Sequence, residues 1–310
     1  MLLAQHLLVL FIVKAFVPRL LLRIVVLSTM LGTVVIQGVG RGSYMIIKVK
    51  KLIAVKRSEF QEIIIAECED FGKALILDGY VQSTVADEFI YHESLVHLAM
   101  LLHPNPKRVL IIGGGEGATL REVLKHSTVE EAVMVDIDKD VVDLSKEYLP
   151  EMHQGSFFNK KAKVVIDDGK SFVERELVRG FKYDVVILDL TDPYSSEIAK
   201  ELYSKQFFEK ISSILNAEGV VVTQAGSKYF YSNVYDVVLD AVKQVFKHVM
   251  EYQVWIPSFG YSCNFIIGSK VFDPSIITAE YVNEGLKARG VKTRFIDGRR
   301  ASAMLLMGIY

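Results

Sequence analysis

Four carboxylates stand at positions where a chain of this pattern can use them: Glu116, Asp136, Asp189 and Asp192. Asp189-Leu-Thr-Asp192-Pro193 follows an apolar run, and two acids three residues apart can hold an amine and take its proton. Glu116 lies inside Gly113-Gly-Gly-Glu-Gly117, with an apolar stretch before it and a helical pattern after it. Glycines let a backbone turn sharply and approach a ligand, and a following helix start offers free N–H groups. Asp136 closes the next apolar stretch, at the offset where an acid accepts hydrogen bonds from ribose hydroxyls. The match to GxGxxG is loose, with Ala118 at its sixth position, so a nicotinamide dinucleotide and an adenosyl sulfonium both remain open. Glu116 would repel a pyrophosphate and suit a cation, which favours the sulfonium. His92 and His97 lie five residues apart, about 140° around a helix, so they do not make the HExxH zinc pair. No metal site is expected.

These residues need strands that end together. Apolar runs at 108–112, 132–135, 163–166, 183–188 and 220–223 read as buried strands. Helical patterns lie between and after them, at 118–126, 138–148, 170–178, 201–215 and 232–246. Alternation of this kind indicates a parallel sheet covered on both faces, whose strand ends carry the ligand crevice. The chain before it reads as a small antiparallel sheet: 46–55, 60–66 and 74–77, with a turn at 69–72. A helix is expected over 88–102, with Thr84 starting it, Asp87 at its third position, and His103-Pro-Asn-Pro106 stopping it. The fold class is α/β, a Rossmann-like, methyltransferase-type doubly wound sheet preceded by a small antiparallel β-domain.

Composition sets the outer bounds. The chain has 310 residues, 51% hydrophobic and 24% charged, with a net charge of −1. That leaves no electrostatic footprint for nucleic acid. Two cysteines outside any CxxC pattern fit a reducing, cytoplasmic setting. Residues 1–43 contain no Asp or Glu, and their apolar runs are too short for a bilayer span of about 20 residues. They read as a start codon placed too early, with Met45 or Met30 the true beginning, or as an anchor or oligomerising extension. Membrane attachment is expected only if they are an anchor. The expected domains are 1–43, the extension; 44–103, the β-domain with its connecting helix; and 104–310, the catalytic domain.

Together these motifs resemble the polyamine aminopropyltransferases, the spermidine synthase family. The carrying stretches are Leu77-Asp-Gly-Tyr-Val-Gln82, Asp87-Glu-Phe-Ile-Tyr-His-Glu93, His103-Pro-Asn-Pro106, the glycine turn, Asp189–Pro193 and Gln224-Ala-Gly226. The resemblance implies transfer of an aminopropyl group from decarboxylated S-adenosylmethionine, a co-substrate, to a polyamine, with methylthioadenosine leaving. It implies no prosthetic group and a homodimer or homotetramer. It makes Asp189 the proton acceptor and Asp192 its partner on the amine. It places Glu116 at the aminopropyl or acceptor nitrogen, Asp136 at the ribose, Asp168 and Gly169 at the adenine, and Gln61 near the nucleoside. Gly113 and Gly115 shape the cofactor turn, and Gln82, Tyr91 and His92 are pocket residues.

The chain departs from the usual family pattern at four points. It has Glu116 for Asp, Asp136 for Glu, Tyr194-Ser195-Ser196 where a pocket proline usually stands, and Phe259 where a tyrosine usually stands. Each is similar to the thermospermine synthase branch. Phe259 removes a hydroxyl from the acceptor pocket. Spermidine is therefore the expected acceptor, giving thermospermine, with putrescine or agmatine close behind. The competing readings are an S-adenosylmethionine-dependent methyltransferase and a non-enzymatic polyamine- or nucleoside-binding protein.

Overall fold

A computed structural model describes residues 26–27, 32–193 and 197–309, arranged around two sheets. The first is antiparallel, with strands in chain order: β1 (Val26–Leu27), β2 (Gly32–Gly38), β3 (Tyr44–Arg57), β4 (Glu62–Cys68), β5 (Gly72–Leu77) and β6 (Tyr80–Thr84). The run Ile63-Ile-Ile-Ala66 has no polar alternation because β4 is covered on both faces. Ile64 and Ala66 pack with Val35, Ile47 and Ile76 inside the β-domain. Ile63, Ile65, Leu75 and Leu77 face the other way, onto Ala118, Val141, Leu149 and Met152 of the next domain. One sheet thus supplies both its own core and the seam.

Strand β2 corrects a boundary drawn from sequence. It lies inside the 1–43 stretch and pairs antiparallel with β3 from Thr33↔Val49 to Gly38↔Tyr44. The sheet therefore reaches back to Val26, so strand pattern does not begin at Met45. Val34 and Val35 are both buried, so β2 reads as a continuous apolar run, indistinguishable in sequence from the stretch before it. The earlier apolar run, 7–13, lies outside the described residues. Among the described residues, no helix is long and apolar enough to cross a membrane.

Helix α1 (Glu88–Leu102) links the sheets and is buried on nearly every side. Asp87, not Thr84, occupies its N-cap position, and the Asp87 carboxylate takes the Thr84 hydroxyl at 2.6 Å. The second sheet holds β7 (Arg108–Gly113), β8 (Glu131–Asp136), β9 (Ala162–Ile166), β10 (Tyr183–Asp189), β11 (Leu215–Gln224), β12 (His248–Ile256) and β13 (Tyr261–Ser269). Its order is β12-β13-β11-β10-β7-β8-β9. Five strands are parallel, as the pattern implies. The last two, which the periodicity did not reveal, form an antiparallel hairpin on the β11 edge. The helical pattern at 201–215 divides into Glu197–Leu202 and Lys205–Ile214, because Ser204 caps a fresh helix start. The order of connections reverses between β7 and β10, which opens a crevice at their carboxyl ends.

Candidate active site

At that reversal Asp189 stands directly beside Gly113 in register. Gly113 has φ +85°, and a Cβ there would run into the Asp189 carbonyl. The Gly114 N–H donates to the same carbonyl at 3.0 Å. Gly115 approaches Asp136, and a Cβ on it would lie 2.7 Å from the Asp136 carboxylate. The glycines are therefore required where the turn passes the ends of β8 and β10.

The turn faces a cavity of about 840 Å³, lined among others by Gln61, Gln82, Tyr91, Gly113, Gly115, Glu116, Asp136, Asp168, Gly169, Asp189, Asp192 and Phe259. This is within the range of about 300–1,000 Å³ for small-molecule sites. His92, also expected in the pocket, is not in its wall. It is buried one layer behind, and its Nε2 lies 2.6 Å from Glu116 Oε1. Its Nδ1 lies 2.7 Å from the Glu88 carbonyl and 3.0 Å from the Glu88 carboxylate. Burial opposes charge on this ring, yet the hydrogen bonds to Glu116 and Glu88 outweigh it and hold its pKa well above the ordinary value. Arg121 in turn grips Glu88 with two bonds, at 3.0 and 2.8 Å. His92 is thus an internal cation that orients Glu116.

Asp189 accepts from the Tyr91 hydroxyl at 2.8 Å and the Thr119 hydroxyl at 2.6 Å. Burial and the nearby Glu116 charge push its pKa up, against His92, Thr119 and Tyr91. A carboxylate so placed is a better base than one in water. Burial pushes Asp136 up to about 7, with the charges of Asp138, Glu116 and Asp189 adding to the rise. The neighbouring Asp138 is tied to the β-domain by Ser58 at 2.7 Å and Gln61 at 2.9 Å. Asp168 caps the helix Gly169–Arg179 through Ser171 N–H at 2.8 Å, which fixes its carboxylate at the end of β9. Asp192 accepts from Tyr261 at 3.0 Å. Tyr261 therefore puts a hydroxyl two residues beyond the one absent at Phe259. Residues 194–196, where the usual pocket proline is replaced, lie outside the described residues.

His92, Glu116 and Asp189 offer nitrogen and oxygen atoms within 4.8 Å of one another. Both His92 nitrogens are already within hydrogen-bond distance of acceptors, so the group reads as a charge cluster rather than a ligand set. Sequence reasoning missed Thr119, Tyr261 and Gln37, whose partners are distant in the chain. It also missed Glu93, whose carboxylate accepts the N–H groups of Arg294, Phe295 and Ile296 at 2.7–2.9 Å and anchors the C-terminal segment.

A switch-point cleft lined by Glu116, Asp136, Asp189 and Asp192 is the ligand crevice of a doubly wound α/β protein, and its charge suits a cationic ligand. Comparison with known proteins carries this further. The family model for the spermine/spermidine synthase domain matches residues 88–276, and that for the spermidine synthase tetramerisation domain matches 37–84. A polyamine aminopropyltransferase of Pyrobaculum calidifontis is 59% identical over 266 residues, 86% of this chain and 92% of the relative. One from Hyperthermus butylicus is 49% identical over 260 residues, 84% and 89% of the two chains. A solved spermidine synthase in complex with the transition-state analogue AdoDATO matches with TM-score 0.79 and 30% identity, over 85% of this chain and 88% of that one. The chain belongs to the spermine/spermidine synthase family, and it is a transferase of the polyamine aminopropyl class.

Proposed function

We propose that the chain moves the aminopropyl group of decarboxylated S-adenosylmethionine to spermidine, giving thermospermine and methylthioadenosine. The observation that carries this reading is the crowding of Glu116, Asp136 and Asp189 around the glycine turn, with burial and mutual repulsion raising Asp136 and Asp189. Such a pocket favours a sulfonium and an amine over neutral or anionic ligands. S-adenosylmethionine itself carries an extra carboxylate, which the cluster repels.

The acceptor nitrogen attacks the carbon beside sulfur, the C–S bond breaks, and its electron pair stays on sulfur as a neutral thioether. The proton shed by nitrogen passes to Asp189. Asp136 and Gln61 hold the nucleoside sugar side, and Asp168 with Gly169 meets the adenine. Glu116, backed by His92, faces the aminopropyl nitrogen. Asp192, Tyr91, Gln82 and Phe259 surround the acceptor. Positioning supplies much of the rate, since the displacement needs nitrogen, carbon and sulfur in line. The match of residues 37–84 to a tetramerisation domain supports assembly into a homodimer or homotetramer.

The test is direct. Purified protein is given decarboxylated S-adenosylmethionine with putrescine, agmatine or spermidine in turn, and products are read by mass spectrometry. A gain of one aminopropyl unit, fastest on spermidine, is expected. Faster transfer to putrescine or agmatine overturns the acceptor, and no transfer to any amine overturns the reaction.

A further inference from the structure

Gln37 closes the cavity on the β-domain side, and its side chain spans three elements. Its Nε2 donates to the Ser258 carbonyl at 2.7 Å and the Phe259 carbonyl at 3.3 Å, and its Oε1 accepts the Val81 N–H of β6 at 3.0 Å. The residue is only 3% exposed. From the other side, Asp87 at the start of α1 accepts the Ser258 N–H at 2.7 Å and the Ser258 hydroxyl at 3.0 Å. The turn between β12 and β13 is therefore clamped between two buried polar side chains. Gly260, at φ +74°, lets it press on the β-domain, where a Cβ would come 3.1 Å from Met45 and Val39.

The clamped turn carries Phe259 into the cavity wall. Its ring meets Tyr91 at 5.9 Å and Tyr261 at 5.6 Å between centroids. Tyr91 donates to Asp189 and Tyr261 donates to Asp192. The Phe259 ring is thus a wedge between the two tyrosines that hold the acid pair. We propose that Gln37 and Asp87 set which amine the site accepts, by fixing the turn that carries Phe259. The inference rests on the aminopropyl-transfer reading and assigns the selectivity of that same site. Gln37 and Asp87 are positioning residues, acting through Phe259 on the distance between the acids and the far wall.

The test compares wild type, Gln37→Met, Ser258→Ala and Phe259→Ala. It measures kcat/KM for spermidine and for putrescine, and the binding of each amine by calorimetry. Gln37→Met keeps side-chain length and loses the three polar contacts. Its ratio between the two amines should move at least about fivefold, whichever amine the wild type prefers, with the donor KM changing less than about twofold. Ser258→Ala should move the ratio the same way by less. In the Phe259→Ala background, Gln37→Met should add no further change in the ratio, because the wedge is gone. Equal losses on both amines, or changes that simply add, overturn the proposal. Should Gln37→Met fail to fold, an unmoved ratio in Ser258→Ala overturns it. A wild type that binds both amines and transfers to neither refutes the functional reading alone, and the binding ratio still decides this one.

Discussion

Asp189 combines three properties seldom found in one carboxylate: a strand-end position, two hydroxyl donors and a raised pKa. Asp189→Asn preserves the shape and removes the proton acceptor, so turnover should fall by about 10²–10⁴-fold with little change in melting temperature. Near-wild-type turnover would show that the proton leaves by another path. Asp136 makes a second prediction. Ribose hydroxyls donate to a carboxylate, and burial raises this one to about 7 in the free protein. Nucleoside binding therefore favours the deprotonated form, so affinity is full above about pH 7 and is lost as pH falls through that value. Calorimetry of methylthioadenosine across pH checks this, and Asp136→Asn should bind weakly with a flat profile. The acids were legible in sequence because each follows an apolar strand. The groups that tune them were not. Nothing about Thr119 in the chain says that it will meet Asp189, and the His92 side chain turned out to address Glu116 rather than the cavity.

At the scale of elements, α1 does more than connect. Its Tyr-His-Glu sequence sends three successive side chains to three tasks: Tyr91 to Asp189, His92 to Glu116, and Glu93 to the backbone of the C-terminal segment. Glu93→Ala leaves the N–H groups of Arg294, Phe295 and Ile296 without their acceptor, that of Ile296 buried and the other two partly exposed. At about 1–3 kcal/mol for the one buried donor, with the partly exposed pair free to turn to water, the loss should be about 1–3 kcal/mol. Chemical denaturation measures it, and a change below about 1 kcal/mol would show that the segment finds other partners. The bounds of α1 and of the first four parallel strands were readable from apolar runs and flanking prolines and glycines, whereas β11 begins at Leu215, five residues before the apolar run at 220–223. The β12–β13 hairpin was not, because Pro257-Ser-Phe-Gly260 carries no two-residue hairpin signature and β12 mixes polar and apolar residues without strict alternation.

The whole molecule is two units sharing one site. Gln61, Gln82 and Gln37 come from the β-domain, and the acids and the glycine turn come from the Rossmann-like domain. Sequence alone separated these units but misplaced the first boundary, because β2 resembles the apolar stretch ahead of it. A chain begun at Met45 loses β2 with its buried Val34 and Val35, exposes the ladder of β3, and deletes Gln37. Such a chain should aggregate or fail to fold, as gel filtration and circular dichroism would reveal. A soluble, fully active product would mean that β2 is dispensable. The family match at 37–84 starts within the deleted stretch.

The carboxylate cluster also bears on how a turnover ends. Before reaction the cluster faces a sulfonium whose charge offsets the crowding of Glu116, Asp136 and Asp189. Once the C–S bond breaks, the nucleoside remnant is neutral, and the mutual repulsion of the acids is no longer compensated on that side. The polyamine leaves carrying the charge, and the remnant retains only its ribose and adenine contacts. On the proposed reading, the same electrostatics that draw the donor in hold the spent nucleoside less tightly. Methylthioadenosine should accordingly bind at least about tenfold more weakly than the cationic donor, as calorimetry of the two ligands would measure.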